Sequence, residues 1–204
     1  MTTAIWFDLD GTLVSVPDYG AVVARACDEA GIADADAFAD AYNDAFFRYF
    51  RDRSPEPYRR AAADALAAID SDATPESVVA AVREAEFDAV ETTPAVRETL
   101  STLAATVGVA VGVCTNGVGD WQRGKLRAAG LAGDVDATVV SYEARGHKPD
   151  SAPFERAEAA LDATRRVMIG DGEESDVAGA REHGWAAVHV DGPADVPAAV
   201  DSVR

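Results

Sequence analysis

Lysine is almost absent from this chain of 204 residues, since only two of its 18 basic residues are lysines. The acidic residues number 36, so the formal net charge is −18. Nucleic acids and anionic membrane surfaces repel a protein with such an excess of negative charge. We therefore expect neither a nucleic acid nor a membrane among its partners.

Cysteine is also scarce. The two cysteines, Cys27 and Cys114, lie far apart and form no CxxC pair, which argues against a disulfide framework. The three histidines, His147, His183 and His189, do not cluster with cysteine at the spacing of a zinc site. We interpret both cysteines as small buried hydrophobic residues.

Long hydrophobic runs are missing as well. The chain has no run of roughly eighteen apolar residues that would span a membrane, and its first residues lead directly into a strand pattern instead of a signal peptide. With 48% hydrophobic residues, however, it can build an ordinary core. These features predict a soluble cytoplasmic protein.

Aspartate is the most conspicuous residue that the chain does contain, with 23 copies. An aspartate-rich, alanine-rich and lysine-poor composition is similar to that of proteins that work in concentrated salt. At about 1 M salt the Debye length is only ~3 Å, so the repulsion between like charges is screened. We hypothesise that the protein is salt-adapted and comes from a halophilic source.

The apolar patterning predicts an α/β fold with a helical insert. A short buried strand at residues 4–7 is followed by helical patterns alone, and from Thr93 onward strands alternate with helices. This alternation predicts a Rossmann-like parallel sheet with helices on both faces. We expect an α/β core domain at residues 1–16 and 91–204, and a helical domain at 17–90. The later strands are predicted at 107–114, 137–142, 166–170 and 186–190.

Polar residues follow the predicted strands at corresponding places. In an open α/β sheet, ligands bind beyond the carboxyl ends of the strands, so these residues should converge. Lys148 follows the strand that ends near Tyr142 and brings a single cation to the same edge. The residues that directly follow or end the other strands are Asp8, Thr115, Asn116, Gly117 and Asp171.

Asp8 and Asp10 are spaced so that both side chains point to one side of an extended backbone. Gly11 allows a sharp turn and a close approach of backbone N–H groups to an anion. Paired carboxylates at a crevice can bind a hard cation such as Mg²⁺, divide the roles of nucleophile and acid, or cap the local backbone. Asp171 adds a third carboxylate from another strand. Surface aspartates of an acidic protein would be the default interpretation of any one of them.

Four motifs in this order resemble those of the haloacid dehalogenase (HAD) superfamily of phosphotransferases. The resemblance covers essentially the whole chain, and the helical insert is similar to the C1-type cap of that family. The motifs are Asp8-Leu9-Asp10-Gly11-Thr12, Thr115-Asn116-Gly117, Lys148-Pro149-Asp150 and Gly170-Asp171-Gly172-Glu173-Glu174-Ser175-Asp176.

The resemblance implies a mechanism. Asp8 would attack phosphorus and form an aspartyl-phosphate, and Asp10 would act as the general acid and then as the general base. Mg²⁺ would be held by Asp8, by the backbone carbonyl of Asp10, and by Asp171. Asp176 would orient metal-bound water or Lys148 from a position behind the metal ligands.

The resemblance also implies the phosphate contacts. Thr115 and the backbone of Asn116 would bind phosphate oxygens, with Gly11 and Gly117 in the adjoining loops, while Lys148 would neutralise charge. Such a mixture suits phosphoryl transfer, which is catalysed mainly by positioning and charge stabilisation. We therefore predict a phosphatase that acts on a small phosphorylated metabolite, as a monomer or homodimer.

Alternatives from the same and other classes are a phosphomutase or other phosphotransferase, a 2-haloacid dehalogenase, a signalling receiver domain and a non-catalytic binding protein. Related dehalogenases lack the carboxylate of Asp10, which favours phosphate-ester hydrolysis here. A phosphonatase is excluded because the insert holds no lysine for a Schiff base.

Several further residues have two interpretations. Glu173 and Glu174 are interpreted as acidic surface, with an extension of the acidic site as the alternative. His147 is interpreted as a loop residue at the rim of the site, with a contact to the substrate as the alternative. A basic and aromatic patch in the insert would either bind a second anionic group of the substrate or pair with nearby carboxylates. Its members are Tyr42, Arg48, Tyr49, Arg51 and Arg53.

Overall fold

The computed structural model describes residues 2–204, which form two compact units. One unit is Val16–Ala89, and the other combines the described part of Met1–Ser15 with Val90–Arg204. The chain thus leaves this discontinuous unit after the first strand and returns to it about seventy residues later, at Val90.

The unit Val16–Ala89 is helical. The side chains of Asp18 and Asp34 cap two of its helices by accepting hydrogen bonds from the N–H groups three residues ahead. The other two helices begin with proline, which suits the first helical position. The helices are α1 (Tyr19–Ala30), α2 (Ala35–Arg51), α3 (Pro57–Ala68) and α4 (Pro75–Ala89).

The other unit is built on a parallel sheet. Within the described residues this sheet has five strands in the order β3-β2-β1-β4-β5, so β1 lies at its centre. Phe7 of β1 pairs with Val113 of β2 on one side and with Ile169 of β4 on the other. The predicted α/β fold with a parallel sheet is confirmed. The strands are β1 (Thr3–Phe7), β2 (Val109–Thr115), β3 (Ala137–Val140), β4 (Arg165–Gly170) and β5 (Ala186–His189).

Helices cover both faces of the sheet. Successive side chains of a strand point to opposite faces, so Ile5 and Phe7 belong to one hydrophobic cluster, whereas Ala4 and Trp6 belong to another. The parallel sheet is therefore buried on both faces. The helices are α5 (Pro94–Ala104), α6 (Gly119–Ala128), α7 (Ser141–Ala144), α8 (Ser151–Ala160), α9 (Gly179–Glu182) and α10 (Val196–Val203), with a π-helical turn at Glu173–Ala178.

Strand β3 ends two residues earlier than the sequence predicts. Tyr142 lies in helix α7 rather than in β3, because the chain after Val140 turns toward the loop that follows β2. The N–H of Gly117 donates to the hydroxyl oxygen of Ser141 at 2.9 Å, and the N–H of Tyr142 donates to the carbonyl of Gly117 at 3.3 Å. None of the helices in residues 2–204 is long and apolar enough to cross a membrane.

Candidate active site

The carboxyl ends of three adjacent strands meet at one edge of the sheet. Asp8 follows β1 directly, Thr115 ends β2, and Asp171 follows β4. Because β1 lies between β2 and β4, the sheet itself brings these residues together. They border a cavity of about 210 Å³, which is lined by Asp8, Asp10, Thr115, Asn116, Lys148, Asp171, Gly172, Ser175 and Asp176.

Lys148 is the centre of a buried charge cluster. Its ammonium nitrogen lies 2.7 Å from Oδ1 of Asp8 and 2.5 Å from Oδ1 of Asp176, and it also donates to the carbonyl of Cys114 at 2.6 Å. All three acceptors are oxygen atoms, so each ammonium hydrogen has a partner. The cluster places the predicted nucleophile against the predicted cation.

Burial and charge act in opposite directions on these groups. Burial raises the pKa of Asp8 to about 7, although the nearby Lys148 ammonium acts to lower it. Burial alone would lower the pKa of Lys148, but the carboxylates of Asp8 and Asp176 outweigh it and raise that pKa above its usual value. Lys148 is therefore a permanent cation beside a carboxyl group that is costly to ionise without further positive charge.

Asn116 positions Lys148 through the backbone. Its side-chain amide donates to the carbonyl of Lys148 at 3.1 Å, and its side-chain carbonyl accepts the N–H of Lys148 at 2.8 Å. This two-point contact occupies the side chain of Asn116. The contact with phosphate that we expect from Asn116 involves its backbone, and it stays a prediction.

Three carboxylates could hold a metal ion. Asp8, Asp171 and Asp176 each offer one oxygen, and these oxygens all lie within 4.8 Å of one another. Mg²⁺ prefers such oxygen ligands, so the donor set fits this ion. Asp176 also bonds to Lys148 and accepts the N–H of Gly172 at 2.9 Å, and its role in orienting metal-bound water or Lys148 stays a prediction. The backbone carbonyl of Asp10 is a further predicted ligand of Mg²⁺. The carboxylate of Asp10 bonds to other residues.

Thr12 orients Asp171, and sequence reasoning assigned it no role. Its hydroxyl donates to Oδ1 of Asp171 at 2.9 Å and accepts the N–H of the same residue at 3.0 Å. Thr12 is completely buried. Its position directly after Gly11 in the first motif was the available signal.

Gly11 and Gly117 lie in the loops beside the cavity but are not among its lining residues in the described chain. Gly11 has φ +84°, and a β-carbon there would collide with the carboxylate of Asp171. The N–H of Gly117 already donates to Ser141. Both glycines thus support the loops, and their predicted contacts with phosphate stay predictions.

Asp10 meets a second lysine at the site. Its Oδ1 lies 2.8 Å from the ammonium nitrogen of Lys125, and its Oδ2 accepts from Nε2 of Gln122 at 2.7 Å. The expectation of a single cation at this edge was therefore wrong. Sequence reasoning missed both residues because they lie on helix α6, not at a strand end. The scarcity of lysine was the one signal that pointed to Lys125.

Three of the other residues with two interpretations, His147, Arg48 and Tyr49, have local partners. Nδ1 of His147 lies 2.9 Å from the hydroxyl oxygen of Ser141. In the helical unit, Arg48 and the hydroxyl of Tyr49 both bond to Asp64, at 2.7 and 2.8 Å. The charge of Arg48 is therefore balanced within its own unit.

Comparisons of the sequence place the chain among hydrolases. A family model for haloacid dehalogenase-like hydrolases matches residues 2–184. The ribulose-1,5-bisphosphate 5-phosphatase of Halopiger xanaduensis is 32% identical over 215 aligned positions, which cover 94% of this chain and 85% of that protein. The phosphoserine phosphatase of Thermus thermophilus is 42% identical over 86 residues, which cover 41% of this chain but only 34% of that protein.

Solved structures share the fold. A 2-haloacid dehalogenase from Pseudomonas syringae pv. tomato superimposes with a TM-score of 0.73 and 24% identity, and the match covers 100% of both chains. The HAD-hydrolase YfnB of Bacillus subtilis, solved with bound magnesium, superimposes with a TM-score of 0.70 and 19% identity over 93% of this chain and 89% of that one. At these identities the likeness shows the fold alone.

Proposed function

The chain belongs to the haloacid dehalogenase-like hydrolase family, and from this premise we propose that it is a Mg²⁺-dependent phosphatase that hydrolyses a small phosphate monoester. The proposal is supported above all by the groups that surround the carboxylate of Asp8. Its buried carboxylate lies 2.7 Å from the ammonium nitrogen of Lys148 and belongs to one acidic group with Asp171 and Asp176.

The reaction has two steps. In the first, an oxygen of Asp8 forms a bond to phosphorus, the bond between phosphorus and the ester oxygen breaks, and Asp10 gives its proton to the departing alcohol. In the second, Asp10 takes a proton from water, the water oxygen bonds to phosphorus, and the bond between Asp8 and phosphorus breaks. Inorganic phosphate leaves, and both aspartates regain their initial states.

The remaining residues balance charge and hold the phosphoryl group. Lys148 compensates the negative charge of Asp8, while the hydroxyl of Thr115 and the backbone N–H of Asn116 bind phosphate oxygens. Mg²⁺ held by Asp8, Asp171 and the backbone carbonyl of Asp10 would supply positive charge for the transferring group. Lys148 together with such an ion would make the site locally positive for an anionic substrate, although the protein has a net charge of −18.

Two observations favour a phosphatase over a dehalogenase. Asp10 offers an acid for an alkoxide leaving group, whereas a halide needs none. Both relatives above are named as phosphatases, and one of them is similar along 94% of this chain.

The proposal also covers the substrate class, the role of the helical unit, the cellular location and the oligomeric state. The name of the Halopiger relative specifies a sugar bisphosphate, which supports a small phosphorylated metabolite as the substrate class. We assign the helical unit Val16–Ala89 the role of a C1-type cap that selects the substrate. The strongly acidic composition supports the absence of nucleic-acid partners. A cytoplasmic location and a monomer or homodimer complete the proposal.

The test is hydrolysis of p-nitrophenyl phosphate in multimolar KCl, with and without Mg²⁺, by the wild type and Asp8→Asn. We expect activity that requires Mg²⁺ and falls by at least ~10³-fold in the variant, because the nucleophile is lost. Asp28→Asn, a change at an exposed aspartate, serves as the matched control and should keep full activity. Activity that survives Asp8→Asn, or halide release from 2-chloropropionate in place of phosphate release, would overturn the proposal.

A further inference from the structure

Lys125 extends from helix α6 to the carboxylate of Asp10. Only 9% of the lysine side chain is exposed, against 43% of the aspartate side chain, and their charged atoms lie 2.8 Å apart. Lysine is seldom buried to this degree without a partner of opposite charge. The chain contains one other lysine, Lys148, which pairs with Asp8. Both lysines of this protein therefore contact an aspartate of the first motif.

Gln122 completes the arrangement on the same helix face. Residues three apart in a helix are neighbours, so Gln122 and Lys125 approach Asp10 side by side. Nε2 of Gln122 donates to Oδ2 of Asp10 at 2.7 Å and to the hydroxyl oxygen of Thr115 at 2.9 Å. One side chain thus connects Asp10 to the predicted phosphate-binding hydroxyl.

Both oxygens of Asp10 are consequently held from one helix. A half-exposed aspartate would otherwise sample several rotamers. Proton transfer requires a defined distance to the oxygen of the leaving group, and a misplacement of about 1 Å can cost ~10²-fold in rate. The described residues that line the cavity include Asp10 but not Lys125, so an effect of Lys125 on the reaction would have to be transmitted through Asp10.

We propose that Lys125, supported by Gln122, is a positioning residue that holds the carboxyl group of Asp10 for proton transfer to the leaving oxygen of the ester and from the attacking water. The inference rests on the proposed phosphatase function, in which Asp10 is the general acid and base. It gives α6 a role in catalysis.

The test compares two esters that differ in how much they need the acid. Phenolate is a stronger base than p-nitrophenolate, so phenyl phosphate depends more on protonation of its leaving group. In Lys125→Met we expect kcat/KM to fall by about 100-fold for phenyl phosphate and by less than about 10-fold for p-nitrophenyl phosphate. Lys125→Arg, which keeps the charged donor, should recover most of the loss. Arg127→Met removes an exposed cation of the same helix and should behave as the wild type.

A second set of measurements separates positioning from other roles. If Lys125 only bound substrate or stabilised the fold, Lys125→Met would affect both esters equally, and this result would overturn the inference. In an Asp10→Asn background, Lys125→Met should cause no further loss, because the group that it positions is already gone. Lys125→Gln, which is shorter and uncharged but still polar, replaces Lys125→Met if that variant does not fold.

The failure of this inference differs from the failure of the phosphatase proposal. Activity that survives Asp8→Asn contradicts the phosphatase proposal, whereas activity lost in Asp8→Asn but without ester selectivity in Lys125→Met contradicts only the positioning role. Crystal structures of the wild type and Lys125→Met give a readout independent of turnover. We expect the side chain of Asp10 to change rotamer in the variant, and an unchanged Asp10 would overturn the inference whatever the activity.

Discussion

The ammonium nitrogen of Lys148 lies 2.5 Å from a carboxylate oxygen of Asp176, and only 1% and 2% of the two side chains are exposed. The same nitrogen lies 2.7 Å from Asp8. One buried cation therefore serves two buried carboxylates. Removing it would leave both without a positive partner, which costs far more than the loss of a surface ion pair.

We predict that Lys148→Met lowers the free energy of unfolding by about 3–5 kcal/mol in metal-free buffer, since it leaves buried carboxylates unpaired. Added Mg²⁺ should recover part of this loss, because the ion replaces the missing charge among the same oxygens. Urea unfolding with EDTA or with Mg²⁺ measures both effects. Arg127→Met is the control and should unfold as the wild type does. Equal stability of Lys148→Met and the wild type in EDTA would contradict the prediction.

Thr12→Val should weaken the binding of Mg²⁺. The hydroxyl of Thr12 holds Asp171 through two hydrogen bonds, of 2.9 and 3.0 Å, and partners of this kind typically contribute ~10–100-fold in metal affinity. Valine has nearly the same shape but cannot form these bonds. Isothermal titration calorimetry with Mg²⁺ measures the loss, and Thr12→Ser, which keeps the hydroxyl, should bind almost as the wild type does. An unchanged affinity in Thr12→Val would refute the assigned role.

The raised pKa of Asp8 predicts opposite effects of pH with and without Mg²⁺. Burial raises this pKa from 3.8 to about 7. Without metal, and only between these two pH values, the folded protein keeps a proton on Asp8 that the unfolded chain has already released. The stability due to this proton is fully present below the unfolded pKa and is lost as the pH rises through about 7.

The stabilisation by Mg²⁺ has the opposite pH dependence and increases with pH, because the ion requires the ionised carboxylate of Asp8. The gain in melting temperature on adding Mg²⁺ should therefore increase from about pH 6 to about pH 8. Thermal unfolding at several pH values, with EDTA or Mg²⁺, measures this gain. In Asp8→Asn the increase should be much smaller, and an equal increase in that variant would assign it to another group.

The sequence predicts the parts of the site that depend on strand ends. Asp8, Thr115 and Asp171 end or directly follow strands, so their convergence requires only a parallel sheet with β1 between β2 and β4. Lys125 and Gln122 reach the site from a helix face, and that contact depends on how α6 packs. Tyr142 was wrongly predicted to lie in β3. The hydrogen bonds that end this strand involve Gly117, which is distant in the sequence.

The composition predicts that salt stabilises the fold. A net charge of −18 produces repulsion in the folded state, and at about 1 M salt the Debye length falls to ~3 Å, which screens it. We expect the free energy of unfolding, measured with urea, to rise with KCl up to molar concentrations. Exposed aspartates should be the cause, so Asn at the exposed positions Asp28, Asp40 and Asp162 should reduce the slope with KCl and raise the stability in dilute buffer. A wild type that is most stable in dilute buffer would contradict salt adaptation, because the repulsion that KCl screens would then not limit the stability of the folded state.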